Sequence, residues 1–499
     1  MKPKRFRFLL GGLALLFILF SLVILGIDSR TYRQQNLTYP DGTTIQGVPL
    51  GGLDRERALA RLELTFTQPM ELKYQGARMQ FSPPELGFVL DLEATMDSLE
   101  SSLVGTGYWS QLWSMQIQSA VDSPLQASLD ETQLSAFLEA TILSRYDQPA
   151  SAALPVIGTT HFQPGQPGLA LDINAAIPQI RTALFSFTER IVDLPLQKTP
   201  ALPLDVHNFE TFLKQIIHLE GFDGLVEIYL HDFSGAQNLH LAEMNGQSVL
   251  PDVAYTAAST IKIPIMLSVL SRTDEPTPQS MQNLLERMII YSENPPADSL
   301  MSNYIDPLRG PLIVTEDLQS LGYENTFLAG YFSLGSPVLQ LFKTPANTRT
   351  DIYLDPDVYN QTVPSEIGDL IAQIYLCANP QIGASHLSTV FAERVSQTEC
   401  QNILDLLADN QIGLLIEAGL PPDTTAIHKH GWTPELDGLL HSMSDVSIVT
   451  TPGGDYALAI FIYTPDQLIF YEGNWLFAKL SQSIYNAFNI EDQTYWWLE

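Results

Sequence analysis

Basic residues are scarce in this sequence. Its 499 residues hold 25 Lys and Arg against 56 Asp and Glu, which gives a formal net charge of −31. An acidic excess of this size repels phosphate backbones, so no nucleic-acid partner is expected. The charge itself indicates an ordinary solvated acidic exterior.

Cysteines are scarce as well, since Cys377 and Cys400 are the only two. A disulfide between them is not predicted, because sequence alone cannot show whether the geometry permits the bond. Neither cysteine lies at a metal-ligand spacing from His or Asp, and no other metal motif occurs. We therefore predict no metal and no cofactor, and expect the fold to rest on hydrophobic cores.

The N-terminus collects basic residues beside the longest apolar run. Residues 1–33 carry six basic side chains and a single acid, Asp28. The run Phe8–Ile27 is long enough, at 1.5 Å per residue, to span a bilayer core of roughly 30 Å. A cleaved secretory signal would have a shorter apolar core and a small-residue cleavage site. We therefore predict a cytoplasmic tail at 1–7, a single-pass membrane anchor at 8–27 and an extracytoplasmic remainder.

Residues 36–200 contain an internal repeat at a constant offset of 81 residues. The stretch Gln80–Asp91 parallels His161–Asp172. Each copy predicts a strand, a Pro/Gly turn, a short strand and a helix whose first turn is capped by an aspartate. Helical stretches precede the copies at 55–64 and 131–140. Two copies of one unit predict a duplicated small α+β domain.

Three soft motifs of this region resemble the peptidoglycan-binding domain that lies outside the membrane anchor of many cell-wall enzymes. They are Gly47–Leu53, Pro84–Gly87 and the element Gly168–Asp172. The resemblance implies binding to cell-wall glycan. A rigid stalk that sets the distance from the membrane explains the same turn and core residues, and no residue here looks catalytic.

After a Pro-rich linker at 198–207 the pattern changes. A helix is predicted near Phe209–His218, followed by a hairpin with its second strand near Leu239–Met244. A late hairpin joins Asp445–Val449 to Tyr456–Tyr463 and leads into a C-terminal helix. Strands at both ends with helices between predict an α+β fold, in which an antiparallel sheet carries a helical lobe.

A serine and a lysine three residues apart, Ser259 and Lys262, open an apolar helix that runs through Leu270. The spacing places both on one helical face, so the amine can reach the hydroxyl. A serine hydroxyl needs a base to become nucleophilic. Lysine is such a base only when burial or a second cation lowers its pKa. Ser-x-x-Lys also occurs by chance in many helices, so the spacing alone does not identify a site.

Two further elements follow in order, Ser292-Glu293-Asn294 and Lys429-His430-Gly431. With Ser-x-x-Lys they form the three-part signature of class A β-lactamases and penicillin-binding proteins. Residues 207–490 resemble this family, which implies a β-lactamase/transpeptidase-like fold. The flanking Glu417–Pro421 fits the resemblance too.

The resemblance implies a role for each of five side chains. Ser259 attacks a carbonyl carbon to form an acyl-enzyme, and Lys262 takes its proton. Ser292 passes a proton to the leaving nitrogen, and Asn294 binds the substrate amide or holds Lys262. Lys429 supplies positive charge that attracts the substrate carboxylate.

The Lys-x-Gly element implies the oxyanion and substrate-binding residues His430, Gly431 and Trp432. The backbone amides of Ser259 and Trp432 would stabilise the oxyanion. His430 replaces the usual Thr or Ser, and an imidazole would donate a hydrogen bond best when protonated. Glu293 replaces the usual Asp of the second element, without consequence for the chemistry.

One departure concerns the release of the acyl group. Class A enzymes carry Glu-x-x-Leu-Asn on a loop between the second and third elements, where the Glu activates water. Counting back from Asn360 places that loop near Lys343–Asp355, which contains no Glu. Asp351 is the nearest acid and is one methylene too short, so fast β-lactam hydrolysis is not expected.

The leading hypothesis is an extracytoplasmic serine hydrolase that acylates on a β-lactam or on a peptidoglycan stem peptide, in the manner of a D-Ala-D-Ala peptidase. Two alternatives remain. One is a β-lactamase with a different water activator. The other is a non-catalytic cell-wall-binding or β-lactam-sensing membrane protein, which the presence of Lys262 and Ser292 disfavours.

Overall fold

The computed structural model of the protein describes residues 4–35, 38–103, 120–435 and 437–495. The chain forms two units, Met1–Ala150 with Pro167–Pro200 and Ser151–Gln166 with Ala201–Glu499. Residues 151–166, which the repeat places with the first unit, group with the second. The reason is aromatic packing, since the Phe162 ring lies 6.1 Å from Phe209 and 5.0 Å from Phe212, centroid to centroid.

The described chain begins with one long helix, Lys4–Gln35. Its segment Gly11–Thr31 is long and apolar enough to cross a membrane, judged by length and composition. The predicted anchor at 8–27 lies within this helix. A signal sequence meets the same criterion, so the membrane anchor stays a prediction.

The first unit contains the first copy of the predicted repeat and residues 167–172 of the second copy, while residues 161–166 belong to the second unit. Aspartates cap its helices, as predicted for Asp91, which accepts from Ala94 N at 2.9 Å, and for Asp172, which accepts from Ala175 N at 3.0 Å. Its helices are Arg55–Phe66, Leu92–Leu103, Glu131–Leu138, Ser144–Tyr146 and Ile173–Phe185, with a π-turn at Glu139–Leu143 and a 3₁₀ turn at Pro83–Leu86. Its strands are Thr44–Ile45, Val48–Pro49, Met70–Tyr74, Ala77–Phe81, Phe88–Leu90, Asp122–Ser123, Ala127–Leu129, Gly168–Leu171, Ile191–Asp193 and Leu196–Thr199.

A six-stranded antiparallel sheet organises the second unit. The strands are β1 (Leu225–Asp232), β2 (Leu239–Met244), β3 (Gln247–Val249), β4 (Ala426–Pro434), β5 (Leu440–Val449) and β6 (Tyr456–Tyr463). Their spatial order is β3-β2-β1-β6-β5-β4. The N-terminal strand β1 therefore pairs with the C-terminal strand β6, and β4 lies at one edge.

The helices of the second unit are α1 (Val206–Leu219), α2 (Lys262–Leu270), α3 (Gln279–Ile289), α4 (Asn294–Leu300), α5 (Gly310–Ser320), α6 (Pro364–Ala378), α7 (Leu387–Val390), α8 (Gln397–Ala408) and α9 (Phe470–Phe488). Shorter turns lie at Ala258–Ile261, Met301–Ile305, Ala392–Arg394 and Glu417–Gly419, and short strands lie at Leu154–Pro155, Phe162–Gln163, Tyr255–Thr256, Phe327–Leu328 and Asn360–Thr362. The helices between β3 and β4 form the predicted lobe.

Alternating side chains of the sheet bury two separate cores. Residues such as Ile228 and Ile460 pack with α1 and α9 on one face. Their neighbours Ala459 and Phe461 pack with α2, α6 and α8 on the other face. Because successive strand residues point to opposite faces, one sheet serves both cores.

A disulfide joins α6 to α8 in the helical lobe. Cys377 and Cys400 are bonded, with their Cα atoms 6.0 Å apart. The sequence did not predict this bond, because the two helices meet only through their tertiary packing on the sheet.

Candidate active site

The predicted nucleophile lies on a tight turn before α2. Ser259 follows Ala258, whose φ of +48° is a left-handed conformation that side chains rarely adopt. The short strand just before the turn, Tyr255–Thr256, pairs with Asn360–Thr362, and this pairing fixes the position of the turn. Such strain at a rigidly supported position is typical of functional sites.

Lys262, at the first position of α2, is fully buried and bonded on three sides. Its Nζ donates to Ser259 Oγ at 2.9 Å, to the Ser292 carbonyl oxygen at 2.7 Å and to Asn294 Oδ1 at 2.8 Å. The Ser292 and Asn294 partners are pure acceptors. A neutral amine can satisfy both with its two N–H groups and point its lone pair at the Ser259 hydroxyl.

Ser292 connects the two lysines of the site. Its φ of +57° is again left-handed. Lys429, on the edge strand β4, donates from Nζ to Ser292 Oγ at 3.0 Å, while Lys262 Nζ lies 3.4 Å from the same oxygen. The structure therefore brings together all five residues predicted to be catalytic.

Burial shifts both lysines towards neutrality. Burial lowers the pKa of Lys262 to about 7, although the Asp298 carboxylate opposes the shift. Burial, and then the charge of Lys262, lower the pKa of Lys429 to about 7 against the pull of Asp445. Near neutral pH one amine can be the proton acceptor while its neighbour is a cation, which is the arrangement that acyl transfer needs.

Gly431 permits β4 to lie against the nucleophile turn. A Cβ at this position would lie 2.8 Å from Ser444 Oγ, 3.0 Å from the Ala257 carbonyl oxygen and 3.2 Å from the Ser259 nitrogen. A side chain would therefore push the strand away from the turn. This contact brings the Lys-x-Gly backbone beside the Ser259 amide, where the oxyanion donors were predicted.

His430 is buried, with 3% of its surface exposed. Its ring stacks on Trp432 at 4.4 Å between centroids, and its Nδ1 accepts from the Asn410 amide at 3.2 Å. Burial and the nearby charges of Lys429, His428 and Lys262 lower the pKa of His430 to about 2. His430 is therefore neutral, so any hydrogen bond that it donates to a substrate comes from a neutral imidazole.

Comparison with known protein families finds a match to most of the second unit. A sequence model of one family matches residues 275–488. That family is the beta-lactamase enzyme family. The match confirms the predicted resemblance and the β-lactamase-like fold, and it includes Ser292 and Lys429 but begins after Ser259 and Lys262.

Several solved structures resemble this part of the chain. PBP-A is 20% identical, over 58% of this chain and 98% of that one, with a TM-score of 0.40. A class A β-lactamase from Bacteroides cellulosilyticus is 18% identical over 57% and 99%, with a TM-score of 0.39. Another from Mycobacterium abscessus is 18% identical over 56% and 99%, also at 0.39. A search of curated proteins found no match.

A buried charge cluster behind the β-lactamase-like site was missed from sequence. His428 Nδ1 lies 3.0 Å from both carboxylate oxygens of Asp445, and its Nε2 lies 3.3 Å from Glu417. Burial opposes protonation, but the Asp445 and Glu417 charges prevail and raise the pKa of His428 to about 9. Asn410, also 3.1 Å from His428 Nε2, therefore donates to neutral His430 instead. The sequence did contain a signal for this cluster, because His428 and His430 are two residues apart on one strand and therefore point to the same face.

The predicted water-activating loop does not supply an acid to the site. Asp351 accepts from Arg349 at 2.6 and 3.1 Å, and this hydrogen bonding lowers its pKa to about 2. Arg349 also donates to the backbone of Leu250 and Pro251. The side chain that lies over Lys262 is instead Phe332, whose ring centroid is 5.6 Å from Nζ.

One trio of side chains has the composition of a metal site, although none was predicted. Glu227, His240 and Asp252 place one ligand atom each within 4.8 Å of the others. Glu227 already accepts from His240 at 3.0 Å and from the Val253 amide at 3.2 Å. These bonds account for the cluster without an ion.

Proposed function

We propose that the protein is a serine acyl-transfer enzyme that forms an ester at Ser259. The observation that carries the proposal is the position of Lys262 Nζ, 2.9 Å from Ser259 Oγ and anchored on Asn294 and Ser292. The proposed substrates are amides with a neighbouring carboxylate, either a β-lactam or a peptidoglycan stem peptide. Lys429 is the cation available for that carboxylate.

Acylation divides into two proton transfers. Neutral Lys262 takes the Ser259 proton as Oγ attacks the carbonyl carbon. When the C–N bond breaks, Ser292 Oγ gives its proton to the leaving nitrogen and regains one from Lys262, with Lys429 3.0 Å away to stabilise the developing charge. The amides of Ser259 and Trp432 are the proposed oxyanion donors.

We further propose that this unit works outside the cytoplasm. The Cys377–Cys400 disulfide supports this, because disulfides persist mainly in exported proteins. The apolar helix Gly11–Thr31 supports a membrane anchor, with the basic residues before it on the cytoplasmic side. The first unit would then bind wall glycan or act as a spacer next to the membrane.

The test is a time course with a fluorescent penicillin on the detergent-solubilised full chain. We expect covalent label on the wild type and none on Ser259→Ala. The matched control is Ser320→Ala, an exposed serine of α5 whose hydroxyl donates only to the Glu316 carbonyl oxygen among the bonds described.

The time course also separates the alternatives. Label that persists supports a peptidase-like enzyme or a sensor, and these two differ in whether a stem peptide is turned over. Label that is lost rapidly supports a β-lactamase. Equal labelling of Ser259→Ala and wild type would refute the proposal.

A further inference from the structure

Phe332 covers the amine of the site. Its ring centroid lies 5.6 Å from Lys262 Nζ, and the ring packs against the large core of the helical lobe. A phenyl ring has no atom that can take a proton from water. The Phe332 ring therefore occupies space next to the buried Lys262 amine that water could otherwise fill, and the ring is not itself a base.

Asp298 holds Phe332 in place through the backbone. The carboxylate accepts from the Phe332 amide at 2.8 Å, from the Ser333 amide at 2.9 Å and from the Ser333 hydroxyl. Asp298 lies four residues after Asn294 on α4, so both side chains share one face of the helix. One helical face thus binds Lys262 and fixes the residue that covers it.

Further bonds on both sides of Phe332 make this segment a fixed cover. The Tyr331 hydroxyl donates to the Asp306 carbonyl oxygen at 2.8 Å. The Tyr359 hydroxyl donates to the Ser336 carbonyl oxygen at 2.7 Å, and the Ala329 amide donates to the Tyr359 carbonyl oxygen at 2.6 Å.

We propose that Phe332, held by Asp298, is a positioning residue that shields Lys262 from bulk water, so that the acyl group on Ser259 is retained rather than hydrolysed. This inference rests on the proposed function. It deepens that function by naming the side chain that limits the access of water to the base.

The chemistry of release shows what the shield prevents. In hydrolysis a water oxygen bonds to the ester carbon, the bond from that carbon to Ser259 Oγ breaks, and one water proton returns to Oγ. A base must hold that proton in transit. Lys262 is the base at hand, and its side chain is fully buried with the Phe332 ring over Nζ.

The same cover sets the proton affinity of Lys262. Burial is the main cause of its lowered pKa, and Asp298 is the charge that opposes it. Lys429 is the other cation that faces it, and His430 is neutral at working pH. Removing the Phe332 ring should therefore raise the pKa of Lys262 and shift the midpoint of the acylation rate to higher pH.

The experiment compares Phe332→Ala, Phe332→Leu and wild type with fluorescent penicillin. The acylation rate is followed from pH 6 to pH 10, and the lifetime of the label after removal of free penicillin is measured. Phe342→Leu is the matched control, because Phe342 is also a loop aromatic but stacks on Phe327. Thermal unfolding checks that each variant is folded.

For Phe332→Ala we expect a label lifetime shortened on the order of tenfold, below the 10²–10⁴ that a positioned base provides, because the change admits water but adds no base. The midpoint of acylation should rise by about one pH unit. Phe332→Leu should restore both values, and Phe342→Leu should match wild type. Asp298→Ala should shorten the label lifetime as Phe332→Ala does, but its midpoint should rise less, because the same change removes the charge that raises the pKa of Lys262.

Two failures are distinguishable. If wild type does not label at Ser259, the proposed function fails. If wild type labels but folded Phe332→Ala keeps the same lifetime and midpoint, or labels at no pH, the inference on Phe332 is wrong while the acyl-transfer proposal stands on the wild-type result.

Discussion

Lysine is an unusual base because its ordinary pKa keeps it charged at neutral pH. Lys262 and Lys429 are both buried and share Ser292, and their pKa values fall to about 7. Burial thus converts an ordinary cation into a proton acceptor, and the second lysine restores the local positive charge. At the residue scale the proposed acyl transfer depends on this pair.

Lys262→Arg should abolish acylation, because a guanidinium remains protonated at all accessible pH values. Loss of a general base typically costs about 10²–10⁴-fold. In wild type, acylation needs the neutral amine, so its rate should be low below pH 7 and rise through about pH 7. The check is the labelling rate against pH, with Lys343→Arg on an exposed loop as control. A rate that is flat across pH 7 would contradict this role for Lys262.

His428 should contribute stability that depends on pH. Its folded pKa of about 9 lies above its usual value, so the contribution is complete below about pH 6.5 and is lost as pH rises through 9. His428→Gln should lower the free energy of unfolding on the order of 2–3 kcal/mol at pH 6 and much less at pH 9.5. Denaturant unfolding at the two pH values measures this, and an equal loss at both would contradict the buried ion pair with Asp445.

At the scale of elements, the site lies where an edge strand meets a helical turn. Strand β4 approaches the Ala258–Ile261 turn closely enough that Gly431 has no room for a side chain. The register of β4 on β5, which pairs Gly431 with Ser444, fixes which residue meets the turn.

Gly431→Ala should reduce acylation strongly while the protein stays folded. The added methyl would force β4 away from the Ser259 amide, and a displacement of this kind can cost about 10²-fold. Gly413→Ala is the control, since a Cβ there meets only Glu417 at ordinary contact distance. Labelling rates of both variants test this, and a Gly431→Ala rate equal to that of wild type would show that the close approach is not required.

The helices and strands around this site are predicted well from the sequence, but the loop residues that lie over Lys262 are not. Strand Leu239–Met244 is observed with its predicted bounds, because alternation within the strand is a local signal. Phe332 was missed, because the length and path of the loop that reaches Lys262 are set by distant contacts. Counting back from Asn360 assumed a loop path that the structure does not follow.

At the scale of the whole molecule, the described chain combines an apolar helix, a small α+β unit and a β-lactamase-like unit that contains one disulfide. The disulfide was not predictable from the sequence, since it depends on how α6 and α8 pack against each other. Its 23-residue separation in sequence closes a moderate loop in the helical lobe.

Replacing both cysteines, as Cys377→Ala with Cys400→Ala, should lower the free energy of unfolding by about 2–4 kcal/mol. The physical reason is that the unfolded chain regains the freedom that the bond removes. Thermal unfolding with and without reductant measures the effect. The double variant should lose its sensitivity to reductant, and a wild type that is equally insensitive would contradict a stabilising bond.

The central claim is that Ser259 forms an acyl-enzyme, and peptide mapping by mass spectrometry tests it most directly. The full chain is incubated with penicillin G, digested and compared with Ser259→Ala. The account predicts a mass gain equal to one whole penicillin on the peptide that contains Ser259, because opening the lactam ring releases no leaving group. No adduct, or an adduct on another residue that persists in Ser259→Ala, would contradict it.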